Sequence, residues 1–191
     1  MQLTFLEAAN GQRLSKRHCS KNGFTPYPHV KNVTSHEYDV PLNNAGLAML
    51  EKLIREHSSK GDCLLKGDLK RPLTNESRAG KTNRMAYSNL LVLDIDGITL
   101  PDHTNPKTFD DNDVSMLAKS VMRELPAAAQ DCSFIAQASA SLGLKGEKIS
   151  LHIFILLTHA MPAKAMKLWF QHCNFESKLF SSQLELSSNG H

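Results

Sequence analysis

Asn89-Leu-Leu-Val-Leu-Asp-Ile-Asp-Gly97 is an apolar run that ends in two carboxylates and a glycine. Leu90 to Leu93 carry the signal of a buried strand, and in a strand residues two apart point to the same face. Asp94 and Asp96 would then stand side by side, with Cα atoms roughly 6.5–7 Å apart. Two neighbouring anions repel unless a cation lies between them. Hard divalent ions such as Mg²⁺ or Mn²⁺ fill that role, because they take carboxylate and phosphate oxygens together. The plainer reading is a strand that closes in an acidic turn, with Asp96 and Gly97 as turn residues.

Upstream of the acidic pair, Lys66, Lys70, Arg71, Arg78, Lys81 and Arg84 stand against only Asp68 and Glu76, a local excess of four positive charges. Alone, such a run is an ordinary solvated face. Beside a metal site it reads as a lining for phosphates, with Arg71, Arg78, Lys81 and Arg84 as contacts to a template or a triphosphate that weaken with salt. Gly80-Lys81-Thr82 mimics the end of a phosphate-binding loop, but that motif needs glycine where Asn75 stands, a strand before it and a helix after it.

Downstream, Phe134 to Ser141 and Lys148 to Leu157 read as two strands joined by the turn Leu142 to Glu147. Ile149, Leu151, Ile153 and Ile155 share one face of the second strand, which must meet the core. Lys148, Ser150 and His152 share the other. They offer a point charge, a hydroxyl and a ring N–H in a row, which suits a triphosphate. A histidine met alone in a strand is more often a satisfied structural residue.

Elsewhere, Asn10-Gly11 predicts a hairpin between Gln2–Leu6 and Arg13–Lys16, followed by a polar connector to about Pro41. Leu47, Leu50 and Ile54 predict a helix over Asn44–His57 that Gly61 can end. Cys63 to Lys66 reads as a short strand, Thr99 to Phe109 as a loop, and Asp111 or Asp113 as the cap of a helix to about Leu125 with Val114, Leu117 and Val121 buried. Pro162 is expected at the first position of a helix holding Met166, Trp169 and Phe170, and Phe175 to Leu186 as a further helix or helix plus strand.

The chain has 191 residues and a net charge of +3, enough for a sizeable core. Its longest apolar run, Ile153 to Leu157, is too short for a bilayer, and no signal peptide opens it. Cys19, Cys63, Cys132 and Cys173 are dispersed, and the spacings of His18, Cys19, His29 and His36 fit no common zinc site. A reduced, cytoplasmic protein with no membrane partner is the expectation.

Leu91-Val-Leu-Asp94-Ile-Asp96, followed some tens of residues later by Ser150-Leu151-His152 in a hairpin, resembles the archaeo-eukaryotic primase superfamily, the primase-polymerases. Ser139-Ala-Ser141-Leu-Gly143 is similar to the small-residue segment that precedes the histidine in plasmid and phage relatives. The resemblance covers about Cys63 to Leu157. It implies an α/β (α+β) fold with an RNA-recognition-motif-like antiparallel sheet packed with helices, plus an N-terminal α/β lobe over residues 1–62 of a single domain. It further implies synthesis of primers from nucleoside triphosphates on single-stranded DNA, with Mg²⁺ or Mn²⁺ on Asp94 and Asp96. Lys148, Ser150 and His152, with Ser139 and Ser141, would hold the nucleotide, and His152 would share in catalysis. A bacterial host cytoplasm, a mobile element and a fused or associated helicase come from the same resemblance.

The resemblance implies a third acidic residue on a later strand, for which Glu185, between Leu184 and Leu186, is the weak candidate. After Asp131 there is no aspartate, and Glu147, Glu176 and Glu185 are the remaining carboxylates before Ser188-Asn-Gly-His191. The expectation is that this third carboxylate lies beyond residue 191. Asp94-Ile-Asp96-Gly97-Ile98 also resembles the first motif of haloacid-dehalogenase-like phosphatases, with Asp94 as nucleophile and Asp96 as general acid. That family needs a later pair of aspartates and a nucleophile near the chain start. A non-catalytic nucleic-acid-binding module that keeps the fold is the other alternative.

Overall fold

The computed structural model describes residues 1–19, 23–83, 85–98, 110–144 and 148–176. It is a mixed α/β protein of small antiparallel sheets and helices. By compactness it divides into two units, one of residues 1–90 and 156–163, the other of residues 91–155 and 164–191.

The first unit is built on β1 (Gln2–Ala8), which lies between β4 (Val33–Asp39) and β5 (Cys63–Leu64) in a three-stranded antiparallel sheet. Leu3, Thr4, Phe5, Leu6 and Ala8 are all buried, so this strand has core on both faces. On one face Phe5 stacks on His57 of α1 (Asn44–Lys60), with ring centroids 4.1 Å apart. On the other, Leu6 joins Val33, Leu65 and Leu73. Side chains of this kind each stabilise the fold by about 1.5–3 kcal/mol when fully buried.

Asn43 caps α1 by accepting the Gly46 N–H (3.0 Å), and Gly61 ends it in the left-handed conformation at φ 92°. The helix runs three residues past the His57 predicted from its apolar spacing, to Lys60, because Gly61 is the first position that stops it. Gly46 is required for a different reason. A Cβ there would sit 1.7 Å from the Pro41 carbonyl oxygen, which is backbone and cannot swing away. Gly46→Ala should therefore cost about 3 kcal/mol despite alanine's better helix propensity, read as a lower midpoint in urea unfolding. A change below 0.5 kcal/mol would show that the Pro41 segment yields freely.

The predicted hairpin at Asn10-Gly11 is not formed. Gly11 does turn the chain at φ 71° and bonds back to the Ala8 carbonyl (2.9 Å), but β4 and β5 occupy both edges of β1 and leave none for Arg13–Lys16. Arg13 instead donates to the Ser58 (2.7 Å) and Ser59 (2.8 Å) carbonyls at the C-terminal end of α1, where orphan carbonyls favour a cation. The hairpin that does form lies further on, between β2 (Arg17–Cys19) and β3 (Gly23–Thr25). A last small ribbon pairs β6 (Asp68–Leu69) with β7 (Thr82–Asn83) and closes the basic loop between them.

The second unit holds most of a three-stranded sheet in the order β8 (Tyr87–Ile98), β10 (Ile149–Pro162), β9 (Phe134–Ala138). The connection from β8 to β9 passes through α2 (Asp111–Arg123) and α3 (Ala127–Gln130), and α4 (Ala163–Glu176) follows β10. Leu91, Leu93 and Ile95 of β8 and Ile149, Leu151, Ile153 and Ile155 of β10 are buried, as the period-two pattern predicted. The cap of α2 is Asp110, not Asp111 or Asp113. Asp110 accepts from the Asp113 N–H (2.9 Å), and Asp113 accepts in return from the Asp110 N–H (3.2 Å), a reciprocal capping box. The buried residues of that helix are Ala118, Val121 and Met122, while Val114 and Leu117 are half-buried. Pro162 ends β10 instead of occupying the first position of α4, since the residue before a proline is driven toward extended geometry and carries the strand up to it. The expected loop Thr99–Phe109 and nearly all of the expected element Phe175–Leu186 lie outside the described residues.

Candidate functional site

Asp94 and Asp96 leave β8 on the same face, and β10 answers each with one side chain. His152 Nε2 lies 3.3 Å from Asp94 Oδ1, and Ser150 Oγ donates to Asp96 Oδ1 at 2.8 Å. Two steps along β8 are matched by two steps back along β10. The same offset carries to the far end of the pair, where the Asn89 side-chain amide donates to the Leu157 carbonyl (3.0 Å). One register therefore fixes all three contacts.

The two pairs differ in exposure. Asp94 has a side chain 59 % exposed beside a His152 that is 33 % exposed, so this end of the row is open to a ligand. Ser150 is buried at 1 %, and its oxygen also lies 3.4 Å from the Gly97 N–H. The serine thus sets the rotamer of Asp96 from beneath. Gly97, at φ 75°, breaks the strand alternation, and Ile98 beyond it is buried. The exposed Lys148 brings its stem to Gly97, with its Cδ 3.8 Å from where a Cβ would stand. Sequence patterning put Lys148, Ser150 and His152 on one face, but it gave no sign that Ser150 faces a carboxylate. The sequence offered Gly97 only as a turn residue, and its left-handed conformation is what the structure adds.

Ser139 and Ser141 follow β9. The Ser139 N–H bonds to the Ser150 carbonyl (3.0 Å), and the two hydroxyls lie 3.3 Å apart. Five of the predicted residues around the carboxylates, Lys148, Ser150, His152, Ser139 and Ser141, thus gather along β10 and the turn before it. Glu147 and Glu185 lie outside the described residues.

The basic segment belongs to the first unit. Glu76 there receives both Arg71, through two nitrogens, and Lys81. Hydrogen bonds from Arg71 and then Lys81 hold its carboxyl at about 2, against an ordinary 4.5. A depressed carboxylate stabilises the fold fully above its unfolded value and ceases to do so as pH falls through the folded one. The loop should therefore stay closed at pH 4.5 and open only near pH 2, with the Glu76 carboxyl carbon titrating there by NMR; a midpoint near 4.5 would mean that the two cations do not hold it. Two of the four cations predicted to meet phosphate are thus engaged with a carboxylate, while Arg84 lies outside the described residues. Thr82 opens β7, so Gly80-Lys81-Thr82 leads into a strand and not the helix that a phosphate-binding loop requires.

A second polar cluster lies in the first unit. Tyr38 Oη is 2.9 Å from His57 Nε2, and His57 Nδ1 is 2.7 Å from Asp62 Oδ2. The His57 and Asp62 side chains are 3 % and 6 % exposed, at the floor of a pocket of about 340 Å³ that Glu7, Gln12, His36 and Lys60 also line. With Phe5 stacked on the ring, the histidine has both nitrogens and one face engaged, which is the state of a structural core histidine.

Among the described residues no group of three His, Cys, Asp or Glu side chains could hold a metal ion, and no helix is long and apolar enough to cross a membrane. At the carboxylate pair the oxygen-bearing acidic side chains among the described residues are Asp94 and Asp96. That suits Mg²⁺ or Mn²⁺, which keep several waters and share one or two carboxylates with substrate phosphates, and does not suit a four-ligand zinc site. Compared with known proteins, the chain matches no family model, no curated sequence and no solved structure.

Proposed function

We propose that this chain is a primase-polymerase domain, a nucleotidyltransferase that makes or extends primers from nucleoside triphosphates on single-stranded DNA. The observation that carries this reading is the pairing across one sheet face of Asp94 with His152 and of Asp96 with Ser150. The topology supports it as well. The chain order β8, α2, α3, β9, β10, α4 with sheet order β8-β10-β9 is compatible with the first three strands of a split βαβ, RNA-recognition-motif-like sheet.

Asp94 and Asp96 are the residues that would hold the divalent cation, which when bound supplies charge neutralisation on a triphosphate and a more acidic attacking hydroxyl. Ser150 keeps Asp96 in one rotamer, so that little ordering remains to be done on binding. His152 offers a ring nitrogen at the exposed end of the row, where it can orient Asp94 or reach a phosphate oxygen. Lys148, whose stem passes Gly97 at the opposite end, supplies a point charge. No protein nucleophile is required.

The test is template-directed nucleotide incorporation by the whole chain on primed and unprimed single-stranded DNA, with Mg²⁺ or Mn²⁺ and with a chelator. Incorporation that needs both template and metal supports the reading. If none occurs, and calorimetry shows no metal-dependent triphosphate binding either, the reading is wrong. Metal-dependent triphosphate binding without incorporation would point to a catalytic site that lacks its third carboxylate, whereas binding of single-stranded DNA without any triphosphate binding would favour the non-catalytic nucleic-acid-binding module.

A further inference from the structure

Between Glu7 and Glu37 the chain contains no carboxylate at all, while Arg13, Lys16, Arg17, Lys21 and Lys31 fall within that stretch together with three histidines. Arg13 is used on the α1 carbonyls. Lys16 and Arg17 enter the ribbon of β2 and β3, and there Lys16, Arg17 and His18 are all exposed.

The ribbon and the residues just after it display aromatic rings to solvent. Phe24 is 53 % exposed and Tyr27 62 %, although a two-stranded ribbon is marginal alone and gains from every apolar contact it can bury. Phe24 stands opposite His18 in the pairing register, with ring centroids 4.9 Å apart. The Lys16 ammonium lies 5.4 Å from the centre of the Tyr27 ring. Each ring is thus accompanied by a cationic or titratable nitrogen, and no anion within the stretch competes for either. Further along the acid-free stretch, His29, Lys31 and Asn32 line a pocket of about 360 Å³ with Asn10 and Asn75, a further set of donors.

Exposed rings alone would fit a hydrophobic protein partner, and exposed cations alone would fit any polyanion. Rings interleaved with cations on a narrow ribbon fit a chain that alternates flat π-faces with phosphates. We propose that the β2–β3 ribbon is a binding surface for single-stranded nucleic acid, with Phe24 and Tyr27 as stacking platforms and Lys16 and Arg17 as phosphate contacts. It stands on residues of the first unit and does not depend on the reading of Asp94 and Asp96.

The experiment measures fluorescence anisotropy of a labelled oligothymidylate of about twenty nucleotides with the whole chain, with Phe24→Ala/Tyr27→Ala and with Lys16→Glu/Arg17→Glu. All four side chains are exposed, so circular dichroism should be unchanged. Loss of both rings should weaken binding about ten-fold or more at constant salt. The charge-reversal variant should weaken it comparably and flatten the dependence of affinity on salt. Lys119→Glu, an exposed charge reversal on α2 outside both sites, should bind like the parent, which separates this surface from a general effect of net charge. Parent-like affinity in both ribbon variants would overturn the proposal, as would binding of duplex DNA or anionic lipid vesicles more tightly than the oligothymidylate.

Discussion

On the proposed function, alanine at Asp94 should lower metal-dependent nucleotide incorporation by about 1,000-fold or more, the scale seen when a preorganised charge partner of a transition state is removed. The side chain is largely exposed and lies on the sheet face opposite Leu93 and Ile95, so the loss should come without unfolding. Alanine at Asp96 should be as severe for catalysis and also cost some stability, because the Ser150 hydroxyl is buried and would lose its acceptor. His152→Ala should be milder, about 10- to 100-fold, if the ring acts by orienting Asp94. Single-turnover incorporation over a manganese titration separates these cases, since a weakened cation site is partly rescued at high metal and a lost nucleotide contact is not. Activity of Asp94→Ala within ten-fold of the parent would remove the carboxylate pair from the mechanism.

The largest effect on stability is expected at the Tyr38, His57 and Asp62 cluster. His57→Ala removes a ring stacked on Phe5 and leaves the Asp62 carboxylate, itself 6 % exposed, without its partner. Breaking a buried charged or hydrogen-bonded pair from one side costs about 3–5 kcal/mol, a large share of the 5–15 kcal/mol that holds an ordinary domain together. For a chain of this length a loss of about 4 kcal/mol lowers the midpoint of thermal unfolding by roughly 10 °C. Asp62→Asn should cost much less, because an amide oxygen can still accept from the ring. Tyr38→Phe should cost least, about 1 kcal/mol, for one lost hydrogen bond. Equal midpoints for His57→Ala and Tyr38→Phe would show that the pair is not what holds α1 to the sheet.

Local signals carried well into the structure where one residue type decides the geometry. Leu50 and Ile54 lie buried on α1, Gly61 ends it, and the alternation along Ile149 to Ile155 faces the core. They failed where a distant partner decided. Nothing in Asn10-Gly11 reveals that β4 and β5 claim both edges of β1, and nothing near His57 reveals that Asp62 and Tyr38 will close on its two nitrogens. At the carboxylate pair the shared face was legible from period two alone. The partners were not, because which residue of β10 stands opposite Asp94 depends on register, and register is set by burial along the whole strand. The charge of residues 66–84 was legible too, but not its use. Glu76, counted as one of two minor anions, engages two of the cations around it. The absence of carboxylates between Glu7 and Glu37 could have been read from the sequence, and it is a plainer electrostatic signal than the basic run.

Unit one draws on two separate stretches of chain, with residues 156–163, the end of β10 and the first residue of α4, completing what residues 1–90 begin. During synthesis the ribosome delivers β1, α1 and the front of β8 long before that closing stretch, so the unit waits, incomplete, for roughly the next seventy residues. Until then residues 87–90 are made without the stretch 156–163 that completes their unit. A fragment cut after residue 90 would remain in that state permanently. Expression of residues 1–90 alone is thus expected to give a less stable product than a piece that runs through Ala163.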